Sequence, residues 1–481
     1  MIRDEAFDVV VLGGGPAGLA AAAASAKAGA STLLLERDEA LGGVLRQCVH
    51  DGFGLVKFRE QLAGPEYAYR AAAAFATSGA AARTGAFVLE ISHPASGGFE
   101  LATSSKTEGV RRVAARALVL ATGCRERSDR QVFIHGDRPA GIFTAGLAQY
   151  LVNVKGLLPG RRAVILGSGD IGLIMARRLT LEGVDVEGVY EIKAEPSGLR
   201  RNVRQCLDDF GIPLHLSRTV TAVRGKGRVE SVDVAEVDAQ GRPIPGTERN
   251  VACDCLVLSV GLIPENELAE TLGCGLDGRT RGPRVDQDWA TEIEGVYACG
   301  NAVAVMDLAD YVSESGEAAG LAAADFALAP GTAPRKVANP EGGAAQAVAR
   351  ITGKAPDAAP EGSPSPGEPG GAFPGRVPIK AGPGFLALVP QEFDPRAARR
   401  FPLWFRSNST TGRARLVVRA GGETVLERRF ESLRPPEMER VMLDGVRVAE
   451  ALARAGAGAA ITAELIREDR EDRTEGGEAG S

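Results

Sequence analysis

The sequence predicts an α/β chain: two Rossmann-like dinucleotide-binding domains, one inserted in the other, followed by a small C-terminal antiparallel β domain. An apolar run, a Gly turn, a helix and a second apolar run begin at Phe7, and the same order recurs from Ala163 to Glu191, which is typical of βαβ units with buried parallel sheets. The segment Arg376–Leu443 alternates apolar and polar residues between turns, which is typical of antiparallel strands. The predicted boundaries are 1–155 and 281–335 for the outer Rossmann-like domain, 156–280 for the inserted domain, 336–375 for a linker, 376–445 for the β domain and 446–481 for a helix with an acidic tail.

The first βα turn carries the pattern Gly13-x-Gly15-x-x-Gly18, directly after the apolar run Phe7–Leu12. In such a turn the glycines permit a tight bend, close approach of the backbone to a pyrophosphate, and packing of helix against strand. Glu36 lies 18 residues after Gly18, at the end of the second apolar run, where a carboxylate can bind a ribose diol. Together these features predict a dinucleotide site.

A second fingerprint, Gly167-x-Gly169-x-x-Gly172, is followed by Glu191, 19 residues past Gly172. An acid at this place favours a 2′-hydroxyl over a 2′-phosphate, and so NAD(H) over NADP(H). Three basic residues nearby oppose that preference: Lys193, Arg200 and Arg201. The alternative is that this second site is vestigial or holds an adenine nucleotide in a structural role.

Composition excludes several classes of protein. Gly is in excess, with 61 of 481 residues, but 44% hydrophobic and 25% charged residues are ordinary for a globular chain, so collagen-like and wholly disordered chains are excluded. The net charge of −6 is too mild to indicate nucleic acid. Ten Arg against three Glu in the segment Arg396–Arg434 predict either a surface that steers an acidic partner or outward-facing, solvated side chains. No nucleic-acid motif accompanies this charge, so we expect no nucleic-acid partner.

Cysteine usage and the lack of long apolar runs predict a cytoplasmic protein. The seven Cys are scattered without any Cys-x-x-Cys, and the four His have no zinc-ligand spacing, so we expect reduced thiols and no metal. No run reaches the roughly 18 apolar residues that a transmembrane segment needs. The first eight residues of the chain include three acids, unlike the start of a secretory signal.

Two segments near the C-terminus differ from the rest in composition. Ala355–Gly375 has six Pro and five Gly and few large apolar groups, which predicts a linker. The acidic sequence past Glu464 predicts a frayed helix or a disordered tail.

Two further strand ends suggest a family. Ala117–Ala121 is an apolar strand that ends in Thr122-Gly123, and a later one ends in Gly300-Asn301. With the two fingerprints, this arrangement resembles the two-dinucleotide-binding-domain flavoproteins of the pyridine-nucleotide-disulfide-oxidoreductase superfamily. The resemblance implies FAD at the first fingerprint and NAD(H) at the second. Gly300-Asn301 stands where that superfamily carries Gly-Asp, so an amide replaces the usual carboxylate contact to the ribityl chain.

Longer motifs carry a closer resemblance. The segments 42–54, 62–70, 121–127, 166–178 and 259–268 are similar to the FAD/NAD(P) oxidoreductases that act as partner subunits of anaerobic-type glycerol-3-phosphate dehydrogenase flavoproteins. More distantly, the chain resembles the α subunits of hydrogen cyanide synthase and opine oxidase. The match covers residues 5 to about 330, and the β domain is similar to the same subfamily's C-terminal region.

Sequence position and resemblance together assign the cofactor residues. The residues predicted to bind FAD are Gly13, Gly15, Pro16, Ala17, Gly18, Glu36, Arg37, Gly42, Gly43, Gln47, Thr122, Gly123, Gly300 and Asn301. The residues predicted to bind NAD(H) are Gly167, Gly169, Asp170, Ile171, Gly172, Glu191 and Gly261.

Cys48 and His50 are the candidate catalytic residues beside the flavin. Disulfide reductases need two thiols in exchange reach, and Cys48 has no second Cys nearby, so the sequence does not predict a dithiol reductase. Cys48 is either a single redox thiol that cycles through a sulfenic acid or a small buried side chain. His50 is either an acid/base group or a structural histidine.

The predicted reaction is hydride transfer between NAD(P)H and bound FAD, with electrons passed to or from a partner flavoprotein dehydrogenase subunit. One alternative is an NADH peroxidase or oxidase that uses Cys48. The other is a non-catalytic scaffold subunit that holds FAD and an adenine nucleotide. Homo- and hetero-oligomers are both compatible with the sequence.

Overall fold

The computed structural model describes residues 4–94, 97–330 and 375–468. The chain divides into two compact units, Met1–Pro369 and Gly370–Ser481. Of the predicted linker 336–375, all but Gly375 lies outside the described residues, as does the acidic tail from 469 onward.

The first unit combines parallel sheets with helices. Its strands are β1 (Asp4–Leu12), β2 (Thr32–Leu35), β3 (Ala81–Arg83), β4 (Ala86–Ser92), β5 (Phe99–Ser105), β6 (Gly109–Leu120), β7 (Cys124–Glu126), β8 (His135–Gly136), β9 (Ile142–Thr144), β10 (Arg162–Leu166), β11 (Asp185–Tyr190), β12 (Leu214–His215), β13 (Arg218–Arg224), β14 (Ser231–Glu236), β15 (Arg249–Ala252), β16 (Cys255–Leu258), β17 (Leu262–Pro264) and β18 (Val296–Ala298). Its helices are α1 (Pro16–Lys27), α2 (Gly64–Ala76), α3 (Ala145–Asn153), α4 (Asp170–Leu181), α5 (Arg200–Cys206), α6 (Glu267–Thr271) and α7 (Ala309–Leu328). Short 3-10 helices cover Gly43–Gln47, Arg130–Val132, Asp208–Phe210 and Gly300–Ala302.

The first sheet has the order β3-β2-β1-β6, with β1 along one side of β6. On the other side of β6, β5 pairs with residues 109–115 and leads on to β4, and β18 pairs with residues 118–120. Strands β2, β1, β6 and β18 are parallel, whereas β5 and β4 are antiparallel. Val9, Val10 and Val11 are fully buried, as expected for a strand covered on both faces.

Helices α1 and α7 pack closely because small residues line their contact. A methyl group at Gly316 would collide with the carbonyl oxygen of Ala17, and one at Gly320 with that of Ala21. These two glycines therefore let the two helix backbones approach each other.

The second parallel sheet has the order β12-β11-β10-β16-β9, with every pair parallel. One face packs on α3 and α4 through residues that include Ile165 and Leu173. The other face packs on the four-stranded sheet β15-β14-β13-β8 through residues that include Leu256 and Val232. The two-stranded ribbon β17-β7 joins the segments that lead into and out of this sheet.

The second unit is built from two small sheets and one helix. Its strands are β19 (Val377–Ala381), β20 (Phe385–Val389), β21 (Glu392–Phe393), β22 (Arg400–Ser407), β23 (Ala414–Ala420), β24 (Glu423–Phe430), β25 (Met438–Asp444) and β26 (Ile461–Arg467). Its helix is α8 (Gly445–Ala455), and a 3-10 turn covers Pro395–Ala397. The sheet orders are β21-β19-β26-β23-β24 and β20-β22-β25, antiparallel throughout except for the pair β19-β26. The predicted fold class is confirmed.

The structure differs from the sequence prediction at the end of this unit. The helix expected in 446–481 is present as α8, but Ile461–Arg467, expected to belong to a helix or tail, is a central strand. Ile461 and Ala463 are buried in the core, while β26 pairs along its length with β23. Pairing with strands that are distant in sequence makes this segment a strand despite its acidic composition. Such pairing leaves no signal in the neighbouring residues, so the sequence pattern did not predict it.

No helix in the described parts of the chain is long and apolar enough to cross a membrane.

Candidate functional site

The predicted flavin residues gather at the carboxyl ends of β1, β2, β6 and β18. These four strands are parallel neighbours in one sheet, so the turns that follow them lie along one edge. Ligands of open α/β sheets bind in the crevice outside this edge. The structure therefore brings together turns that are separated by almost three hundred positions in the chain.

The three fingerprint glycines have different structural roles. Gly13 has a φ of +108°, and a methyl group there would collide with the carbonyl of Ala121. A methyl group at Gly18 would collide with the carbonyl of Gly13, so these two glycines permit close packing of strand, turn and helix. At Gly15 the space is open, because no atom of the described residues lies within 4 Å of the added methyl position. Pro16 and Ala17 begin α1 there, so the helix N-terminus borders open space of the kind a pyrophosphate needs.

Glu36 is buried, with 7% of its surface exposed, although it carries a carboxylate. Its Oε2 accepts a hydrogen bond from the Gly14 amide at 2.6 Å, and its Oε1 accepts one from the Asp38 amide at 2.7 Å. Each oxygen keeps a lone pair, so the carboxylate can also accept from a ribose diol.

Gly42 and Gly43 lie over the first fingerprint. The Gly42 amide donates to the Gly14 carbonyl at 2.8 Å, and a methyl group at Gly43 would lie 2.9 Å from the Cα of Gly15. Both have positive φ, of 111° and 56°, which favours glycine. The turn after β2 therefore forms one wall of the open space at Gly15.

Arg37, Thr122 and Gly123 meet at Glu265. Arg37 forms an ion pair with the Glu265 carboxylate at 2.8 Å. The Thr122 hydroxyl donates to the Glu265 carbonyl at 2.7 Å, and the Glu265 amide donates to the Gly123 carbonyl at 2.9 Å. These contacts tie the strand leaving the first sheet to the strand returning from the second.

Asn301 stands where the superfamily pattern has Asp, and its amide is held by the chain itself. Its Oδ1 accepts from the Met306 amide at 3.0 Å, and its Nδ2 donates to Cys124 Sγ at 3.6 Å. Burial raises the pKa of the Cys124 thiol to about 11. The preceding Gly300 has a φ of +62° and packs against Ala17, which places this turn beside the first helix.

The second fingerprint repeats the glycine geometry of the first. Gly167 has a φ of +96°, and a methyl group there would collide with the carbonyl of Ser259. A methyl group at Gly172 would lie 2.5 Å from the Gly167 carbonyl oxygen. At Gly169 a methyl group would fit without a collision, because the nearest atom of the described residues is the Ser259 hydroxyl at 3.6 Å, an ordinary contact distance.

Glu191 occupies the position that corresponds to Glu36 and is 3% exposed. Its Oε2 accepts from the Ser168 amide at 3.0 Å and from the Ser168 hydroxyl at 2.5 Å, and its Oε1 accepts from the Lys193 amide at 3.0 Å. The carboxylate is thus fixed in place with no cationic side chain on it among the described hydrogen bonds and ion pairs.

Asp170 begins α4 and holds the segment that follows β11. Its Oδ1 accepts from the Leu199 amide at 2.8 Å and from the Asn202 amide group at 2.7 Å. The Ser197 amide donates to the Ser168 hydroxyl at 2.8 Å. Ile171 packs partly buried against the second sheet's core. Gly261, with a φ of +103°, lies just before β17 beside Arg127.

Cys48 is half-buried and its thiol is hydrogen-bonded. Sγ lies 3.3 Å from the Val44 carbonyl and 3.5 Å from Gln149 Oε1. Burial raises the pKa of the Cys48 thiol to about 12, so at neutral pH the group is a thiol rather than the nucleophilic thiolate.

Gln47 and His50 flank Cys48 and make mainly structural contacts. Gln47 Nε2 donates to the Gly146 carbonyl at 2.8 Å, and the main-chain carbonyl of Gln47 accepts from Asn153 Nδ2 at 2.8 Å. His50 Nδ1 lies 3.0 Å from the Asp51 carbonyl, and the ring packs 5.0 Å from that of Phe53. The segment 47–50 is therefore fastened to α3.

Sequence reasoning missed three polar groups of the site. Glu265 accepts a hydrogen bond from Thr122 and so connects the two strands that link the sheets, and Ser168 orients Glu191. The buried Asp310, at the start of α7, accepts from the Lys57 amide at 3.1 Å. Only Ser168 had a local signal, since it lies inside the fingerprint.

The fold and the two nucleotide-type sites define a flavin-dependent oxidoreductase with two dinucleotide-binding domains. The family model of the pyridine nucleotide-disulphide oxidoreductases matches residues 7–324, and the chain belongs to this family. The predicted superfamily is confirmed, and with it the assignment as an FAD-dependent oxidoreductase.

Curated relatives are similar over part of their length. An opine oxidase subunit from Agrobacterium tumefaciens (strain Ach5) is 27% identical, over 67% of this chain and 66% of that protein. The HcnB subunit of hydrogen cyanide synthase from Pseudomonas aeruginosa is 29% identical, over 55% of this chain and 59% of that protein. The ferredoxin reductase component of chlorobenzene dioxygenase from Cupriavidus sp. (strain PS12) is 30% identical, over 44% of this chain and 50% of that protein. The chain thus spans less than two thirds of each.

Among solved structures, thioredoxin reductase of T. acidophilum is similar with a TM-score of 0.55 and 24% identity, over 68% of this chain and 100% of that chain. Thioredoxin reductase of Lactococcus lactis gives a TM-score of 0.55 and 21% identity, over 67% of this chain and 99% of that chain. These likenesses support the two-sheet fold.

Proposed function

We propose that this chain transfers hydride between NAD(H) at the second fingerprint and FAD at the first, and that it exchanges electrons with a partner dehydrogenase. When bound, the two cofactors supply the redox chemistry. The chain's own residues bind the nucleotides, orient them and exclude water. In this proposal the outer domain, predicted as 1–155 and 281–335, holds FAD, and the inserted domain, predicted as 156–280, holds the nicotinamide nucleotide. Strand β9 and helix α3, which belong to the second sheet and its core, are counted here with the inserted domain, so that its start lies no later than residue 142.

The observation that carries the proposal is that both fingerprints are complete and that in both the fold leaves room for a methyl group at the middle glycine. A methyl group at Gly15 would meet no atom of the described residues within 4 Å, and one at Gly169 would meet the Ser259 hydroxyl at an ordinary contact distance of 3.6 Å, while the partner glycines are tightly packed. A vestigial site would not require glycine at an open position, because a larger residue would fit the fold there. A pyrophosphate at the helix N-terminus gives a reason for glycine at both positions.

An anaerobic titration of the flavin-loaded protein with NADH tests the proposal. We expect the flavin absorbance to bleach in wild type and in Gly227→Ala, a control glycine with open space around its methyl position and no fingerprint role. In Gly169→Ala we expect the flavin to remain bound while the NADH concentration needed for bleaching rises at least tenfold. A wild-type spectrum that NADH leaves unchanged would refute the nicotinamide assignment.

A preference for NAD(H) over NADP(H) forms part of the proposal. The buried carboxylate of Glu191 accepts from a 2′-hydroxyl and repels a 2′-phosphate. Lys193 and Arg200, which would favour the phosphate, are exposed. Comparison of kcat/KM for NADH and NADPH tests the preference, and equal values would contradict it.

The proposed partner is supported by the relatives, since two of them are named as enzyme subunits. We propose a glycerol-3-phosphate dehydrogenase-like system. Co-purification with the product of a neighbouring dehydrogenase gene, and NADH-dependent reduction of that partner, would test it. We also propose a cytoplasmic location, which is supported by the seven free cysteines.

Two alternatives make different predictions. A peroxidase that uses Cys48 requires a thiolate, which the raised pKa of about 12 disfavours. A structural adenine nucleotide at the second site is favoured by the side chains of Ser168 and Asp170, which already hold the segment 197–199 beside the fingerprint. Identification of the nucleotides released on gentle denaturation distinguishes the scaffold from the enzymes. Release of FAD together with ADP or ATP would identify the scaffold.

A further inference from the structure

A cavity of about 180 Å³ lies outside both fingerprints, between the segment after the 3-10 helix Gly43–Gln47 and helices α3 and α4. It is lined on α4 by residues from Ile174 to Leu181, which start one helical turn beyond Asp170. The cavity is therefore separate from the dinucleotide positions at the start of α4. Its volume is several times the roughly 30 Å³ that one water occupies in the liquid.

The two arginines of the cavity wall are cationic, and the other polar side chains of the wall carry no negative charge. Its polar lining consists of His50, Gln149, Asn153, Arg177 and Arg178, and no acidic residue lines it. Arg178 Nη2 forms an ion pair with Glu182, which does not line the cavity, at 2.6 Å. Arg177 is exposed, with its guanidinium 5.6 Å from the Phe210 ring centre. Arg178 is thus compensated by Glu182, whereas Arg177 has no ion pair among the described residues, so the cavity wall keeps a net positive charge that favours an anion.

The remaining wall is apolar. Val49, Ile174, Met175 and Leu181 complete the lining, and Val49 and Leu181 are about half exposed, at 48% and 56%. Aliphatic groups beside guanidinium groups match a ligand that has a short carbon chain as well as an acidic group. A bare inorganic ion would leave this surface without a partner.

Two covered atoms in the lining residues lack hydrogen-bond partners. Arg178 Nε and Asn153 Oδ1 are buried, and neither has a partner among the described residues. The fold thus leaves one donor and one acceptor unused beside the same cavity.

The carboxamides connect the cavity to the flavin-side segment. Gln149 is 3% exposed and accepts from the Cys48 thiol, and Asn153 donates to the Gln47 carbonyl. We propose that the cavity binds a small organic anion, a carboxylate or phosphate on a short carbon chain, and that its occupancy is transmitted to residues 47–50.

Calorimetric titration of the flavin-loaded full chain with malonate and, separately, with a methyl phosphate tests this site. We expect saturable binding in wild type and at least a tenfold weaker affinity in Arg177→Gln and in Arg178→Gln. Arg242→Gln, which changes an exposed arginine paired with Asp238 on a distant turn, should bind as wild type does. The tighter of the two probes assigns the acidic group.

Binding that is equal in all variants, or no saturable binding of either probe to wild type, would overturn the proposal and leave a cavity filled by water. Saturation without any change in the visible spectrum of the bound flavin would overturn the link to residues 47–50. The inference does not depend on the nicotinamide step, because reduction of wild-type flavin by NADH is measured without any probe. Arg177 is on the surface, so its variant tests the site even if Arg178→Gln lowers stability.

Discussion

The two fingerprints of this chain have the same hydrogen-bonding plan but different surroundings. In each, the amide of the second fingerprint residue donates to the buried glutamate at the end of the next strand, as Gly14 does to Glu36 and Ser168 to Glu191. The turn over the first site is attached through main-chain atoms, from Gly42 to Gly14. The segment beside the second is attached through the side chains of Ser168 and Asp170.

This difference teaches how one motif can serve two kinds of ligand. At the first site, Pro16 begins the helix and adds no charge, so the helix N-terminus is free to interact with an anion. At the second, Asp170 places a carboxylate in the first turn, where it competes electrostatically with a pyrophosphate. We expect tight retention at the first site and exchange at the second, which suits a prosthetic group and a substrate respectively.

The largest expected effect is a difference in flavin content and stability between variants of the packing glycines Gly18 and Gly172. Gly18→Ala forces a methyl group into the Gly13 carbonyl, whereas Gly172→Ala places one 2.5 Å from the Gly167 carbonyl. We expect Gly18→Ala to lose the flavin and about 3 kcal/mol of unfolding free energy, from overpacking. Denaturant unfolding and flavin content measure this. Gly172→Ala should keep its flavin, and equal flavin loss in both variants would break the comparison.

A smaller effect tests the two glutamates. In Glu191→Gln the charged acceptor becomes neutral, and charged hydrogen bonds contribute about 1 kcal/mol more than neutral ones. We expect the affinity for NADH to fall about fivefold to tenfold and the discrimination against NADPH to narrow. Glu36→Gln is the matched variant, and it should weaken flavin retention without changing the NADH/NADPH ratio. A ratio that changes in Glu36→Gln instead would reverse the assignment of the sites.

A still smaller effect sharpens the electrostatic difference. Asp170→Asn keeps the Oδ1 that accepts from Leu199 and Asn202 but removes the negative charge from the start of α4. We expect NADH to bind about twofold to fivefold more tightly, from about 0.4–1 kcal/mol of relieved repulsion. Asp185→Asn, at the exposed start of β11, is the control. Weaker NADH binding in Asp170→Asn would show that the carboxylate supports the nucleotide.

The smallest effect concerns Cys48. Because burial raises the pKa of its thiol to about 12, Cys48→Ser should leave flavin reduction by NADH unchanged from pH 6 to 9. A thiol whose pKa is higher in the folded than in the unfolded state stabilises the fold below the unfolded pKa, and this contribution is lost as pH rises toward 12. Unfolding followed by pH should therefore show a shallower alkaline decline in the variant. NADH-dependent peroxide turnover that disappears in Cys48→Ser would establish the redox role instead.

Much of the site could be predicted because its signals are local. The spacing from Gly18 to Glu36, and from Gly172 to Glu191, follows from one helix between two strands, so the buried glutamates were found from sequence. Glu265 gave no such signal. It meets Arg37 across 228 positions, and that contact exists only once both sheets are formed. The strand Ile461–Arg467 was missed for the same reason, since pairing with β23 rather than its own acidic composition determines its structure.

The placement of β18 has a consequence for how the protein is made. Strand β6 pairs with β18, and α1 packs on α7. Both β18 and α7 follow the whole of the second sheet in the chain, so they are synthesised after it. When the first fingerprint leaves the ribosome, Gly300 has not yet been synthesised, and neither has α7, the helix that packs on Ala17 and Ala21. The inserted region, whose sheet is continuous in sequence from β9 to β16, can fold first. We therefore expect FAD, which we propose binds at the first fingerprint, to be inserted late in biogenesis, after α7 has been synthesised.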